Sequence, residues 1–386
     1  MPRQSPLPES ASVVIVGGGV IGTSAAFHLA EAGVDVVLLE RAQLGSGSTS
    51  RAAGGVRTQF SDLLNIEIAK RSMAAFRDFG RRPGWEIELK QVGYLFVLST
   101  ESDVGEFEQS VALQKECGLD SRILTAAEAR RRCPLLEGDD VLAAAFSPGD
   151  GHATPEGVVQ GYAYGARGLG AHIRTGCQVT GIESRGGRIT DVVTDHGRIR
   201  TGTVICAAGP WSRSCGAMVG IELPVTPLRR QILFTEAIDE LPPDLPMTID
   251  FASSFYFHRE GPGLLMGMSD PNERPGFSVE TTEDWIPGLM EVVRRRAPRI
   301  ADLGIRGGWA GLYELTPDHN AIIGEVAGVS RFLYATGFSG HGFLQGPAVG
   351  EILRDMVLHR SPFVDISPLS VERFDAAALR PEYNIV

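Results

Sequence analysis

Lysine is nearly missing from this 386-residue chain. Only Lys70, Lys90 and Lys115 stand among its 36 basic residues, and all the others are arginine. Biased codon usage explains such a skew, but the chemical consequence stands: beyond residue 115 there is no ammonium side chain. Cysteine is scarce too. Cys117, Cys133, Cys177, Cys206 and Cys215 show no C-x-x-C or Cys/His spacing of a metal site. An odd, scattered set suits a reducing compartment, so a cytoplasmic setting is expected. No run of about 18 apolar residues occurs, so no membrane span is expected. The roughly ten polar residues ahead of the first apolar run hold no signal core. Positive charge is in deficit, with a formal net charge of −11. That argues against nucleic acid or an anionic membrane as the main partner. The length suffices for two domains and a large core.

What is plentiful is glycine, 47 residues, and its placement is informative. Residues 12–16 are a short apolar β-branched run. Gly17-Gly18-Gly19-Val20-Ile21-Gly22 follows at once, then a helical stretch to Ala32 closed by Gly33. A second buried strand, 34–39, ends on Glu40, 18 residues after Gly22. Gly17 permits the tight turn, Gly19 lets backbone approach a pyrophosphate, and Gly22 lets helix and strand pack closely. The helix start offers unpaired N–H groups and a positive dipole end. Glu40 is placed to accept hydrogen bonds from a ribose. A merely structural glycine turn would leave Glu40 a coincidence, so dinucleotide binding is the reading.

The rest of the chain divides around that unit. Residues 45–57 form a small-residue loop, too polar for a strand and too glycine-rich for a helix. A helix is expected over 63–79 and a strand over 93–98. Thr125 and Glu128 are spaced as a capping box for a short helix ending near Pro134. Near Gly151 a further nucleotide-fold unit begins, with Pro155 early in a helix to about 167. Strands follow at 171–174, 179–184, 188–194 and 203–206, the last entering Ala207-Ala208-Gly209-Pro210-Trp211. Residues 224–298 read as an antiparallel sheet, with strands at 231–235, 254–258 and 263–268. Near Gly308 glycine-rich turns return, then a strand over 331–335, a glycine loop and a helix over 347–359. The nucleotide domain is therefore expected from 1–90, 150–223 and 305–386, and a substrate domain from 91–149 and 224–304.

Several motifs together resemble a known family. They are the fingerprint with Glu40, the 45–49 loop, Asp150-Gly151 with Pro155, residues 207–211, Tyr313-Glu314-Leu315-Thr316-Pro317-Asp318, and Gly337-Phe338-Ser339-Gly340-His341-Gly342-Phe343. Over nearly its whole length the chain is similar to the D-amino-acid-oxidase-like flavoproteins. The nearest branch looks like sarcosine oxidase and the β subunits of heterotetrameric sarcosine oxidase and dye-linked L-proline dehydrogenase. The resemblance implies an α/β Rossmann-type FAD-binding domain, discontinuous in sequence, plus an α+β substrate domain with a large antiparallel sheet, six-stranded in the family. It implies oxidation of an amino acid to an imine. It sets the cofactor against Gly17, Gly19, Val20, Ile21, Gly22, Glu40 and Arg41. The next contacts implied are Gly47, Ser48, Thr49, Arg51, Ala52, Ala53 and Gly54, then Val179, Ala207, Ala208, Gly209 and Trp211. The last are Gly311, Gly337, Phe338, Gly340, His341, Gly342, Phe343 and Leu344. In relatives a cysteine at the place of Gly311, or a histidine near that of Arg51, is bonded to the flavin; neither is present, so the FAD is expected to be non-covalent.

The residues themselves suggest how such a site would work. Three glycines within Gly337–Gly342 can aim backbone N–H groups at a flavin edge. His341 there either packs against backbone or tunes the flavin. An amino-acid carboxylate favours an arginine fork, and Arg57 matches the family's carboxylate-binding position, with a surface role as its rival. Tyr313 matches a pocket tyrosine, or is a core aromatic. Tyr256 and His258 share one strand face, lining either the pocket or solvent. The family's lysines over the flavin fall at about Leu265 and Leu344, which are apolar, so slow reaction with O2 and faster transfer to a dye or protein acceptor are expected. The substrate expected is a small secondary or N-methylated amino acid or amine, sarcosine- or proline-like. The alternatives are a β-type subunit of a multi-subunit dehydrogenase and a 2-hydroxy-acid dehydrogenase on the same fold. Homo- and hetero-oligomers both remain open.

Overall fold

A computed structural model describes residues 6–375, 379 and 381–384. Its first sheet has the order Ile322–Glu325, Phe332–Thr336, Val204–Cys206, Val13–Val16, Val36–Leu39, His172–Arg174. All pairs are parallel except the first. A parallel strand buried on both faces reads as a continuous apolar run. Accordingly Val13 and Ile15 pack toward the helices Val20–Glu31, Pro155–Gly168 and Gly342–Val357, while Val14 packs toward the antiparallel three-stranded sheet of 179–200.

The second sheet holds eight strands, not six. Their order is Ile305–Leu315, Thr226–Thr235, Gly263–Gly267, Phe255–Glu260, Met247–Asp250, Tyr94–Leu98, Ala143–Ser147, Arg122–Thr125. It is antiparallel except where Met247–Asp250 runs parallel to Tyr94–Leu98. Three segments depart from the sequence reading. The turns expected near Gly308 are an eleven-residue strand, Ile305–Leu315, paired along Thr226–Thr235, so 305–315 lies in this sheet. Its glycines mark close approaches: a Cβ on Gly308 would come 2.3 Å from the Ile232 carbonyl oxygen. The helix Glu101–Glu116 was not foreseen, because its buried stripe mixes Phe107 and Val111 with Ser110 and Gln114. The alanine-rich strand Ala143–Ser147 carries little β-propensity of its own.

The last helix starts at Gly342, five residues before the expected Pro347. Proline inside a helix removes a hydrogen-bonded rung. Here Ser72, on the helix Leu63–Arg77, bonds the backbone on either side of the proline. Its hydroxyl donates to the Gln345 carbonyl (3.1 Å) and accepts from the Ala348 N–H (3.1 Å). The capping box at Thr125 and Glu128 is formed as expected.

Candidate active site

One cavity of about 680 Å³ runs from Glu40 and Arg41, past the 45–54 loop, to Arg57, Tyr313 and His341. At the Glu40 end the glycines do what their spacing suggests. Gly17 has φ +110°, and a Cβ on it would lie 2.3 Å from the Ala207 oxygen. Gly19 caps the helix Val20–Glu31 without any side-chain hydrogen bond; Gly19, Val20 and Ile21 line the cavity, and the Val20 N–H meets Thr49 Oγ1 at 3.2 Å. Glu40 accepts from the Gly18 N–H (2.8 Å) and the Ala42 N–H (2.7 Å), which fixes its carboxylate. The Arg41 guanidinium lies 3.8 Å above the Trp211 ring. An open glycine cradle, uncapped helix N–H groups and a continuous cavity fit an extended dinucleotide.

Most of the residues matched to a flavin site line this cavity, from Gly17, Gly19, Val20 and Ile21 through Val179, Ala207 and Gly209 to Gly311, Gly340, Phe343 and Leu344. Three do not. Gly22 packs beneath the turn, where a Cβ would lie 2.0 Å from the Gly17 oxygen. Gly337 is a left-handed turn, φ +69°, against Thr316. Phe338 is buried in the core among the helices. Ala335 and Ser339 line the cavity in their place. Gly311 and Arg51, the two places where the family resemblance implies a flavin link in other members, lie against each other here. A Cβ on Gly311 would lie 2.8 Å from Arg51 Cβ, Arg51 Nη1 donates to the Ala310 oxygen (2.9 Å), and Trp309 Nε1 donates to the Arg51 oxygen (3.0 Å).

The far end gathers the substrate candidates. Asp150 holds the loop bearing Arg57 by accepting from the Thr58 N–H (2.9 Å) and hydroxyl (2.8 Å). Arg57 is buried and engaged. Nη1 donates to the Gln59 carbonyl, and Nη2 to the Asn384 carbonyl and to His341 Nε2 at 3.0 Å. Its guanidinium also rests 4.5 Å from the Phe60 ring centre. Arginine cannot accept, so His341 is neutral with its proton on Nδ1; burial and the Arg57 charge hold its pKa well below the usual range. His258 shares a face with Tyr256, but its ring nitrogens face backbone carbonyls, Nε2 that of Ala53 and Nδ1 that of Arg259, each at 2.9 Å, and the neutral ring donates to one of them. It stacks on His152 outside the cavity lining, so it braces the loop rather than facing a substrate.

Tyr256 and Tyr313 do line the cavity, and so does Tyr94, which sequence reading passed over inside an apolar strand. Burial pushes all three phenols above the ordinary tyrosine range. Arg230 lies among them, half-buried, its guanidinium 5.2 Å from the Tyr313 ring centre. Nη1 donates to the Arg229 carbonyl at 3.2 Å, Nε has no partner, and among the described residues no carboxylate pairs with it. Arg57 and Arg230 therefore bring positive charge to a cavity in which lysine is absent. Leu265, matched to a family lysine, shares the sheet face of His258 and Phe234 but does not reach the cavity; Leu344 does.

Glu314 also lines the cavity. Burial pushes its carboxyl up to about 7, against the pull of the Gly337 and Phe338 N–H groups and the Thr336 hydroxyl at 3.1 Å. A carboxyl raised in the folded state favours folding most below its unfolded pKa, and that contribution is lost between about 4.5 and about 7. Glu314→Gln should therefore gain stability relative to wild type between about pH 5 and about pH 8. Urea denaturation at both pH values checks this, and a constant difference would refute it.

Comparison with known proteins agrees with this geometry. The family model described as "DAO: FAD dependent oxidoreductase" matches residues 12–356. Mitochondrial dimethylglycine dehydrogenase of Homo sapiens is 32% identical over 387 residues, covering 95% of this chain and 44% of that protein. Mitochondrial sarcosine dehydrogenase of Mus musculus is 30% identical, covering 96% of this chain and 42% of that protein. The chain thus spans less than half the length of these relatives. Among solved structures, L-proline dehydrogenase from P. horikoshii superposes with a TM-score of 0.91 at 32% identity, over 97% of this chain and all of that one. Glycine oxidase from Geobacillus kaustophilus gives 0.85 at 25% identity, over 95% and 99%. Among the described residues no helix is long and apolar enough to cross a membrane. From residue 12 to residue 356 the fingerprint, the two sheets and the cavity between them fit one pattern, and the chain belongs to the DAO family of FAD-dependent oxidoreductases.

Proposed function

We propose that the protein oxidises a small secondary or N-methylated amino acid, proline- or sarcosine-like, to its imine with non-covalent FAD. The observation that carries this reading is Arg230, without a carboxylate partner among the described residues, beside Tyr94, Tyr256 and Tyr313 at one end of the cavity. A substrate carboxylate takes the guanidinium, with a phenol donating beside it. The acids lining the cavity are Glu40, bonded at the nucleotide end, and Glu314, bonded to the 336–338 backbone. Neither offers a second charge for an ammonium group. The amine therefore binds neutral among phenol rings, whose apolar faces suit an N-methyl group or a ring methylene. When bound, FAD supplies the acceptor for the α C–H hydride. The tyrosines and Arg230 orient that C–H bond, and the released imine hydrolyses in water.

Anaerobic mixing with a panel of substrates tests this. N-methyl amino acids and proline should bleach the flavin absorbance, while 2-hydroxy acids should not; the reverse would overturn the reading. Acid precipitation should leave a colourless pellet and yellow supernatant, because Gly311 and Arg51 offer no linking nucleophile.

A further inference from the structure

Between the strand Gly263–Gly267 and the helix Ile286–Arg296 runs a segment with almost no regular backbone pairing. It is nonetheless pinned to the strand Thr226–Thr235. Arg229 Nε bonds Glu273 Oε2 at 2.7 Å, the side chains 16% and 11% exposed. Arg229 Nη1 donates to the Glu280 carbonyl at 2.6 Å. The Gln231 amide holds Thr282 twice, accepting from its N–H (2.8 Å) and donating to Oγ1 (3.2 Å). The Gly276 N–H donates to the Pro227 carbonyl at 2.9 Å.

Between these pins Phe277 and Val279 stand 50% and 41% exposed, and both line the cavity. Phe277 stacks on Trp211 with ring centres 5.6 Å apart and planes 19° apart. Arg41 covers Trp211 at 3.8 Å, and Gly47 lies against the same indole. Three segments of the nucleotide fold and the segment following Gly263–Gly267 thus meet at the Trp211 indole, next to the Arg41 that follows Glu40. Four polar anchors hold an aromatic ring where much of its face is wet, which is unfavourable until something apolar covers it.

We propose that residues 273–282 are a clasp over the nucleotide end of the FAD site. Phe277 and Val279 are its cofactor contacts, and the Arg229–Glu273 ion pair is its latch. The proposal rests on the FAD assignment and not on the amino-acid reading, so the two fail separately. Release of FAD from holoprotein, followed as the rise of free-flavin fluorescence after dilution, tests it without turnover. Phe277→Ala should release FAD about tenfold faster, as expected for a lost aromatic stack and its apolar cover. Phe277→Tyr, which keeps the stack, should release it at the wild-type rate. Glu273→Gln, which opens the latch, should also speed release. Phe277 is half exposed, so neither Phe277 variant threatens folding. Unchanged release in Phe277→Ala overturns the clasp, and equal acceleration in Phe277→Tyr overturns the stack as its basis. An unchanged rate in Glu273→Gln overturns the latch.

Discussion

Arg230→Ala should raise the KM for the amino acid by roughly 100-fold while flavin content stays normal. A charge-assisted hydrogen-bonded pair in a partly buried site is worth up to about 3 kcal/mol, which corresponds to that factor. Arg230 faces the cavity without a carboxylate partner among the described residues, so on the proposed reading a substrate carboxylate completes it. Arg230→Lys keeps the charge and loses the fork, and should fall between. Arg57 was the carboxylate anchor implied by family resemblance. Its terminal nitrogens are instead occupied by the Gln59 and Asn384 carbonyls and His341. Arg57→Ala would strand those acceptors in a buried place, so its first effect should be on stability. Steady-state kinetics with both variants separates the assignments. A normal KM in Arg230→Ala, with a raised KM in Arg57→Lys, would return the anchor to Arg57.

Gly22→Ala should yield protein that purifies without flavin and melts well below wild type. The added carbon would sit 2.0 Å from the Gly17 oxygen and 3.3 Å from Ile15 Cγ2. The first atom is backbone of the turn itself, which cannot rotate aside as a flexible side chain can. Overpacking of this kind typically costs about 1–3 kcal/mol, and here the strain falls on the turn that presents N–H groups to phosphate. Gly19→Ala is the contrast, since its Cβ would meet only Thr49 Oγ1, at 3.2 Å. That variant should fold normally and hold FAD more weakly. Visible absorbance relative to protein content, with a thermal melt, distinguishes the two. Normal flavin content and melting in Gly22→Ala would refute the close packing of helix on turn.

The fingerprint was legible because each part is local. Val13–Val16, the glycines and Glu40 lie within one short stretch, and a strand buried on both faces needs no partner to announce itself. The capping box at Thr125 and Glu128 was legible for the same reason. The substrate end was not. Which guanidinium the fold itself takes up depends on distant chain, and Arg57 donates to a carbonyl 327 residues away. Whether His258 lines the pocket or faces solvent stayed open in the sequence, because its partner, the Ala53 carbonyl, is 205 residues distant. A period-two pattern puts His258 on the cavity-facing side of the sheet but cannot say how far along that side the cavity extends. Tyr94 was hidden by its own strand, whose fully buried run shows no alternation.

The strand Thr226–Thr235 points consecutive residues to opposite duties, with Arg230 toward the cavity and Arg229 and Gln231 toward the 273–282 segment. Such a strand is vulnerable to a particular failure: a slip of one residue would exchange the two faces completely. The ladder to Ile305–Leu315, continuous from Thr226 opposite Leu315 to Phe234 opposite Gly307, makes that exchange prohibitively disruptive. A substitution at 230 or 232 therefore leaves Arg229 and Gln231 aimed at the 273–282 segment. In this protein one face of a single strand borders the cavity while the other holds a neighbouring segment in place, so the two can be altered separately.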